Sequence, residues 1–250
     1  MFHPQKTIAA AAAGARRAIR RLARPAGDFD ASRYFRGGHR LGFYNTGTGP
    51  VRALAREIYA SHRDRWNLDD AMAFADRLIP DRYLEVKAVG IEVLARYRNG
   101  FAPRLLGRCK RWLEENNSAN WATTDSMCGA LIGPLLVKYP ELIPKMRTWS
   151  RHRNMWVRRA SIVGLLHPMR RGEALDLVYE IANRLDADPE DLIQKGVGWG
   201  LREAGKIDGP RLSRYLRANV AVIPRTTFRY AIERFSPAER RRLLALRASS

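Results

Sequence analysis

Apolar residues recur at helical spacing along most of the 250 residues, and the strict alternation of a half-buried strand is nearly absent. Proline, glycine and aspartate stand at most of the breaks, as is typical of helix ends. The pattern predicts a first helix in the Ala/Arg-rich segment 7–24 and an irregular stretch rich in glycine and aromatic residues at 28–50. About six pairs of helices are predicted to follow, at 51–65, 70–79, 83–98, 102–115, 119–138, 140–150, 154–167, 172–185, 189–206, 210–220, 223–235 and 237–247.

Local signals refine some of these bounds. Asp69 and Asp70 are expected to cap the helix at 70–79, and the polar run ending in Asn117 and Ser118 to cap the helix at 119–138. Within that second helix, Pro134 predicts a disturbance, because proline has no backbone N–H to donate.

Five charged residues recur at a nearly constant interval. Lys87, Asp125, Arg159, Lys195 and Arg229 are 38, 34, 36 and 34 residues apart. A period in this range is typical of stacked helical pairs, each too small to bury its apolar face alone. The predicted fold class is therefore all-α, an α-solenoid. We expect one domain over 1–250, with a basic N-terminal helix at 1–27, a loop segment at 28–50 and helical repeats at 51–247.

Equivalent positions of such repeats line one surface, so this row places a single carboxylate, Asp125, among cations. Trp121 precedes Asp125 by four residues and shares its helical face. In the same way Trp199 follows Lys195 by four residues, and Arg202 follows Trp199 by three. An acid beside indole rings in a basic row is an arrangement suited to chemistry on a phosphate polymer, whose phosphates the cations would bind.

Each of these residues also has a plainer interpretation. Trp156 is predicted to be a core residue, and Trp121 and Trp199 could be core residues as well. Asp125 could serve only as a helix N-cap, since residues 123–126 are all capping types. Arg159 could be the structural partner of an acid elsewhere in the fold.

Composition favours a polyanionic partner. The chain has 45 basic and 25 acidic residues, a formal net charge of +20. Such an excess points first to nucleic acid and second to an anionic membrane surface. Most of the cations are arginine, whose planar fork matches phosphate.

Other classes of protein are disfavoured. Two cysteines, Cys109 and Cys128, cannot form a disulfide framework, and no spacing typical of zinc ligands is present, so we expect no metal and no cofactor. The longest uncharged run, 126–137, is far shorter than the roughly 20 apolar residues of a membrane span. A cytoplasmic, nucleoid-associated protein is expected, although the segment 7–24 is also compositionally similar to a transit peptide.

Four motifs, in order over roughly residues 30–235, resemble the AlkD-type DNA alkylation repair glycosylases, which are built from HEAT-like repeats. They are Tyr34-x-Arg36 with the following aromatic and glycine run, NWATTD at 120–125, WVRRA at 156–160 and IQKGVGWGLRE at 193–203. The third and fourth motifs contain Arg159 and Lys195. Asp191 and Leu192 depart from the pattern, since some members carry aromatic residues there.

The resemblance implies roles for individual residues and a concave basic groove for double-stranded DNA. Asp125 would be the catalytic carboxylate and Trp121 and Trp199 the aromatic walls around it. Arg159 would bind the DNA backbone, and the further DNA-binding candidates are Tyr34, Arg36, Lys195 and Arg202.

The activity implied is that of a monomeric DNA glycosylase acting on alkylated DNA. It would excise cationic N3- and N7-alkylated purines such as 3-methyladenine and 7-methylguanine, and bulky adducts, by hydrolysing the N-glycosidic bond without flipping the base. The alternative is a non-catalytic HEAT-like scaffold that binds nucleic acid or an acidic protein. Loss of base release in an Asp125→Asn variant that still binds duplex DNA would separate the two.

Overall fold

The computed structural model describes residues 4–27, 35, 41–118 and 120–248. These residues form an all-α fold, as predicted, and contain no β-strand, only an isolated bridge between Gly42 and Tyr83. The α-helices of the described residues are, in chain order, α1 (Pro4–Arg21), α2 (Thr48–His62), α3 (Leu68–Leu78), α4 (Leu84–Ala95), α5 (Arg104–Glu114), α6 (Trp121–Met127), α7 (Gly133–Lys138), α8 (Lys145–Trp149), α9 (Met155–Val163), α10 (Leu166–Arg170), α11 (Leu175–Leu185), α12 (Asp191–Ile207), α13 (Gly209–Ala218), α14 (Arg225–Ala231) and α15 (Pro237–Ala248).

Three short 3-10 helices and one π-helix complete the described elements: Arg98–Gly100, Pro140–Leu142, Ile232–Arg234 and the π-helix Cys128–Ile132. The chain divides into two compact units, Met1–Leu135 and Leu136–Ser250, and the division falls within α7. They are called unit 1 and unit 2 below. The organisation of the chain as a single domain stays a prediction.

Several helix bounds differ from those predicted. Helix α3 begins at Leu68 rather than at residue 70, because Asn67 is its N-cap and accepts hydrogen bonds from the backbone N–H groups of Asp69 and Asp70. The Asp70 carboxylate accepts the Asn67 N–H in return at 3.0 Å, so Asp70 completes a capping box rather than standing at the cap. The single helix predicted at 140–150 is instead a 3-10 turn followed by α8.

Unit 1 is built around helix α4. Helices α2 and α3 both pack against α4, and α1 packs against α2 and α3. The largest fully buried side chains of this unit include Trp112, Phe74, Phe101 and Leu94. Burying each such side chain stabilises the fold by about 1.5–3 kcal/mol relative to leaving it exposed, so the helices are held mainly by this apolar contact.

The glycine-rich segment before α2 is fastened to the start of α4. The N–H of Gly42 donates to the carbonyl of Arg82 at 2.8 Å, and the N–H of Leu84 donates to the carbonyl of Gly42 at 3.0 Å. A Cβ atom at position 42 would lie 2.8 Å from the Tyr83 ring, so only glycine allows this approach. Tyr44 then stacks on Tyr83 with ring centroids 4.0 Å apart.

Unit 2 is built around helix α12, which packs against α9, α10, α11, α13 and α14. Arg158 of α9 donates to the buried carboxylate of Asp188 at 2.6 Å, and this ion pair connects α9 to the turn that precedes α12. Glycines on α12 make the close approach of its neighbours possible. A Cβ at Gly200 would lie 2.8 Å from Ile162 of α9, and one at Gly198 would lie 2.5 Å from the Cβ of Tyr230 on α14.

The substitution Gly198→Ala is expected to destabilise the protein, although alanine normally favours a helix over glycine by about 1 kcal/mol. The added Cβ would also lie 2.8 Å from the backbone carbonyl oxygen of Thr227, which cannot move without shifting α14. Overpacking of this kind costs about 1–3 kcal/mol. Thermal unfolding should show a melting temperature several degrees lower. Gly107→Ala on the exposed face of α5, where a Cβ meets nothing within 4 Å, is the matched control and should be neutral or stabilising; equal behaviour of the two variants would contradict the packing argument.

Candidate active site

Asp125 and Trp121 lie on α6, whose first turn is fixed by Asn120. This asparagine is buried and is the N-cap: its side-chain oxygen accepts the N–H of Thr123 at 2.8 Å. Its amide nitrogen donates to the carbonyl of Ser118 at 2.6 Å and to Oγ1 of Thr123 at 2.9 Å. The cap is therefore Asn120 rather than the predicted Asn117 and Ser118, and Asp125 is not a capping residue but lies a full turn inside the helix.

The two candidate side chains of α6 are both partly buried and lie one helical turn apart. The indole of Trp121 stacks on the ring of Phe35, with centroids 5.6 Å apart and planes inclined by 12°. Phe35 in turn packs on Phe43, with centroids 5.2 Å apart. The glycine-rich segment that is hydrogen-bonded to the start of α4 thus places Phe35 against Trp121. Aromatic surface consequently lies beside the helical turn that carries Asp125.

The helix widens just beyond α6, in the π-helical residues Cys128–Ile132. Pro134 cannot donate to the carbonyl four residues before it, and the N–H of Gly133 donates instead to the carbonyl of Cys128, five residues back. This π-helical turn is the disturbance that Pro134 predicted. A cavity of about 440 Å³ lies beside this turn. Its lining consists of Gly129 of the turn, Ser126 of α6, the start of α2 and one face of α4.

Lys87 is not an exposed member of a charged row. It is 3% exposed, and its ammonium group donates to the carbonyls of Ile79 and Asn117, each at 2.7 Å. Burial lowers the pKa of Lys87 to about 8, because the charged form loses its hydration. The expectation that the repeating charges all line one accessible surface is therefore wrong at Lys87, whose contact with Asn117 instead anchors the turn that leads into α6.

In unit 2, Arg159 is also buried, with 5% of its surface exposed. Its guanidinium donates to the carbonyl of Leu192, and it occupies space opened by Gly196, where a Cβ would lie 3.2 Å from Nη1. These contacts hold α9 against the first turn of α12. The hydrogen bond from Arg159 to Leu192 thus reaches a backbone carbonyl rather than an acid, and the role of Arg159 as a ligand of the DNA backbone stays a prediction.

The other candidates of unit 2 lie on α12. Trp199 is partly buried, and the ammonium group of Lys195 pairs with Asp191 at 2.7 Å while its side chain stays 39% exposed. Arg202 forms an ion pair with Glu233 and has a side chain 20% exposed. Trp156, by contrast, is buried, which confirms its prediction as a core residue.

Two candidates lie outside the described residues, Tyr34 and Arg36. Sequence reasoning missed Phe35 between them, although it had noted the aromatic cluster of this segment, and the pairing with Trp121 is the signal that identifies it. Within the described residues no group of three or more histidine, cysteine, aspartate or glutamate side chains is placed to hold a metal ion. No helix of that part of the chain is both long and apolar enough to cross a membrane.

A family model for the DNA alkylation repair enzymes matches residues 15–235. The chain belongs to this family. The match includes the helix of Trp121 and Asp125 and the greater part of unit 2, and it confirms the family resemblance drawn from the four motifs. DNA is thereby the partner of this DNA alkylation repair protein.

A solved structure supports the same fold. It is described as a predicted DNA alkylation repair enzyme from Enterococcus faecalis and superposes with a TM-score of 0.73 at 17% sequence identity, covering 83% of this chain and 93% of its own. Comparison with curated proteins gives no significant match. At this identity the similarity establishes the all-α fold of the family and leaves the reaction to be argued from the residues.

Proposed function

We propose that this member of the DNA alkylation repair family is a DNA glycosylase, with Asp125 as its catalytic carboxylate. Its substrates would be cationic N3- and N7-alkylated purines in duplex DNA, such as 3-methyladenine, 7-methylguanine and bulky adducts. The observation that carries the proposal is the partly buried Asp125 one turn from Trp121, whose indole is stacked on Phe35. An acid fixed beside aromatic surface is suited to a positively charged reaction centre.

The chemistry follows from the charge of the lesion. Alkylation at N3 or N7 makes the purine cationic, so the base departs as a neutral molecule when the bond from C1′ to the base nitrogen breaks and its electron pair moves to the base. No general acid is required. Positive charge grows at the sugar, and the Asp125 carboxylate would stabilise that charge and orient the attacking water. The water oxygen bonds to C1′, and one of its protons passes to bulk solvent. Preorganised charges of this kind stabilise transition states strongly because they need no reorganisation.

The rigid setting of Asp125 supports this role. Asn120 fixes the start of α6 through three hydrogen bonds, Lys87 holds the preceding turn, and the π-helical turn follows directly. A carboxylate positioned by such contacts keeps its place when substrate binds, which is what electrostatic catalysis needs. We further propose that the lesion is attacked without extrusion of the base into a pocket, unlike most enzymes that act on bases.

The remaining candidates are proposed to contact DNA. Lys195 is more accessible than the candidate cations Arg159 and Arg202, and Trp199 presents part of an indole that could lie against deoxyribose. For Arg202, binding of a phosphate would compete with its ion pair to Glu233. Arg159 and the motif residues Tyr34 and Arg36 complete the proposed set. A monomeric protein acting in the cytoplasm on nucleoid DNA is the form proposed.

Base release from duplex DNA tests the proposal. DNA containing 7-methylguanine should yield free 7-methylguanine, identified by chromatography, whereas DNA of the same sequence containing uracil should yield no free base. The difference is expected because uracil is uncharged and would leave as an anion without a proton donor. Release of uracil would contradict the mechanism, and failure to release 7-methylguanine or 3-methyladenine would favour the non-catalytic scaffold.

A further inference from the structure

A cationic cleft lies wholly within unit 2 and contains none of the aromatic or acidic residues proposed for catalysis. Its volume is about 910 Å³, and three helices and the 3-10 turn after α14 line it. Helix α12 contributes Lys195, α14 contributes Arg225 and Arg229, and α15 contributes Arg240 and Arg247. Glu233 is the acidic residue of this lining.

The charged side chains of this cleft are of two kinds, those held by partners within unit 2 and those exposed to solvent. Glu233 pairs with Arg202, Lys195 pairs with Asp191, and Arg247 donates to the carbonyls of Val220 and Ile223 while lying over the Phe228 ring. The exposed side chains are those of Arg225, Arg229 and Arg240. None of these three forms an ion pair with an acidic side chain of the described residues.

The spacing of the exposed arginines fits a repeating anion. Arg225 and Arg229 are four residues apart on α14, so they share one face and their Cα atoms are separated by about 6 Å along the helix axis. Arg240, Leu244 and Arg247 likewise recur at helical spacing along one face of α15. Because α14 and α15 line the same cleft, their accessible guanidinium groups can engage successive phosphates of one strand.

Apolar surface in the same cleft narrows the choice of ligand to one that also presents apolar groups. Tyr230 is 36% exposed and Leu244 is 43% exposed, and both line the cleft with Phe228 and Ile232. Inorganic phosphate would leave these side chains unused, whereas deoxyribose faces along a DNA strand would cover them. Helix α15 also lies beyond residues 15–235, the part matched by the family model, so one wall of the cleft is not part of that matched region.

We infer that this cleft binds the phosphodiester backbone of one strand of duplex DNA through Arg225, Arg229 and Arg240, with Tyr230 and Leu244 against the sugars. The inference rests on the proposed function only for the choice of DNA as ligand. The cleft would add phosphate contacts that hold the duplex, whatever its sequence and whether or not it carries a lesion. Phosphate contacts of this kind fix the position of a protein on DNA and carry no sequence information.

The test compares two double variants, each of which removes two positive charges from unit 2. Arg225→Gln with Arg229→Gln alters the cleft, and Arg214→Gln with Arg241→Gln alters exposed arginines outside it. Binding to undamaged duplex DNA is measured across a salt series. For the cleft pair we expect affinity about 10- to 100-fold weaker at 0.1 M salt and a salt slope smaller by about 1.8, because each lost phosphate contact removes about 0.9 from the slope. The control pair should change affinity less than about threefold.

Equal weakening by the two pairs would overturn the inference, since only net charge would then matter. Weakened binding of single-stranded DNA with unchanged duplex binding would overturn the choice of a duplex as the occupant. Arg240→Gln alone serves as a second variant if the double variant has a lowered melting temperature, and it should reduce the slope by about 0.9. Because the DNA is undamaged, the binding measurement does not depend on base release. If the wild-type protein releases no alkylated base but the cleft variant still binds duplex DNA more weakly, the proposed glycosylase is refuted and this inference stands.

Discussion

Asp125→Asn is expected to lower base release from 7-methylguanine DNA by about 10²–10³-fold, the magnitude lost when one preorganised charge-stabilising group is removed from an active site. Asparagine has nearly the shape of aspartate, so α6 keeps its cap at Asn120 and its packing through Trp121 and Phe35. What disappears is the negative charge that would face the growing positive charge at C1′. Single-turnover release, measured with enzyme in excess, isolates this step from binding and product release.

The matched control is Asp64→Asn, which removes one negative charge from unit 1 at a side chain that is 85% exposed. It should release base at the wild-type rate. Duplex affinity of Asp125→Asn should stay within a few fold of wild type, and its melting temperature should be close to that of wild type. If Asp125→Asn releases base as fast as Asp64→Asn does, Asp125 has no part in the reaction.

Much of the fold could be predicted from sequence because helical periodicity and its punctuation are local. Helix α12, for example, was predicted at 189–206 and is observed at Asp191–Ile207. The burial of Trp156 was also predicted. The disturbance after Asp125 could be predicted as well, since the missing N–H of Pro134 is a property of one residue.

The site was less accessible to sequence reasoning because burial and pairing depend on tertiary contacts. The repeat placed Lys87 and Arg159 at equivalent positions but could not show that each points into the interior, where backbone carbonyls accept its hydrogen bonds. The partner of Arg202 is Glu233, 31 residues away on another helix. Phe35 contacts Trp121 across 86 positions of sequence, a distance that no periodic pattern encodes.

These burials change how the positive charge of the chain should be interpreted. A net charge of +20 does not mean that every repeated cation faces a ligand. Lys87 and Arg159 are buried and donate to backbone carbonyls, and Arg202 forms an ion pair with Glu233. We therefore expect exposed arginines such as Arg225 and Arg229 to contribute phosphate contacts more readily than buried cations do, and salt dependence measures those contacts whereas a count of basic residues does not.

Duplex binding by the wild-type protein is expected to weaken about 10³–10⁵-fold between 50 and 200 mM salt, which corresponds to six to ten phosphate contacts. Each contact releases counterions condensed on the DNA, so the logarithm of affinity should fall linearly with the logarithm of salt concentration. Equilibrium binding to an undamaged duplex over this range gives the slope directly. The same measurement on Asp125→Asn should give an equal slope, because Asp125 is proposed to contact the reacting sugar and not to hold phosphates.

The two results together separate the candidate functions. A steep slope with base release abolished in Asp125→Asn is the outcome expected of a glycosylase held on DNA by its cations. A steep slope with no base release from wild type would indicate a nucleic-acid scaffold, in which the ordered surroundings of Asp125 serve packing alone. A flat slope would contradict phosphate binding altogether, because exposed arginines cannot engage a duplex without displacing its counterions, and it would favour an acidic protein as the partner.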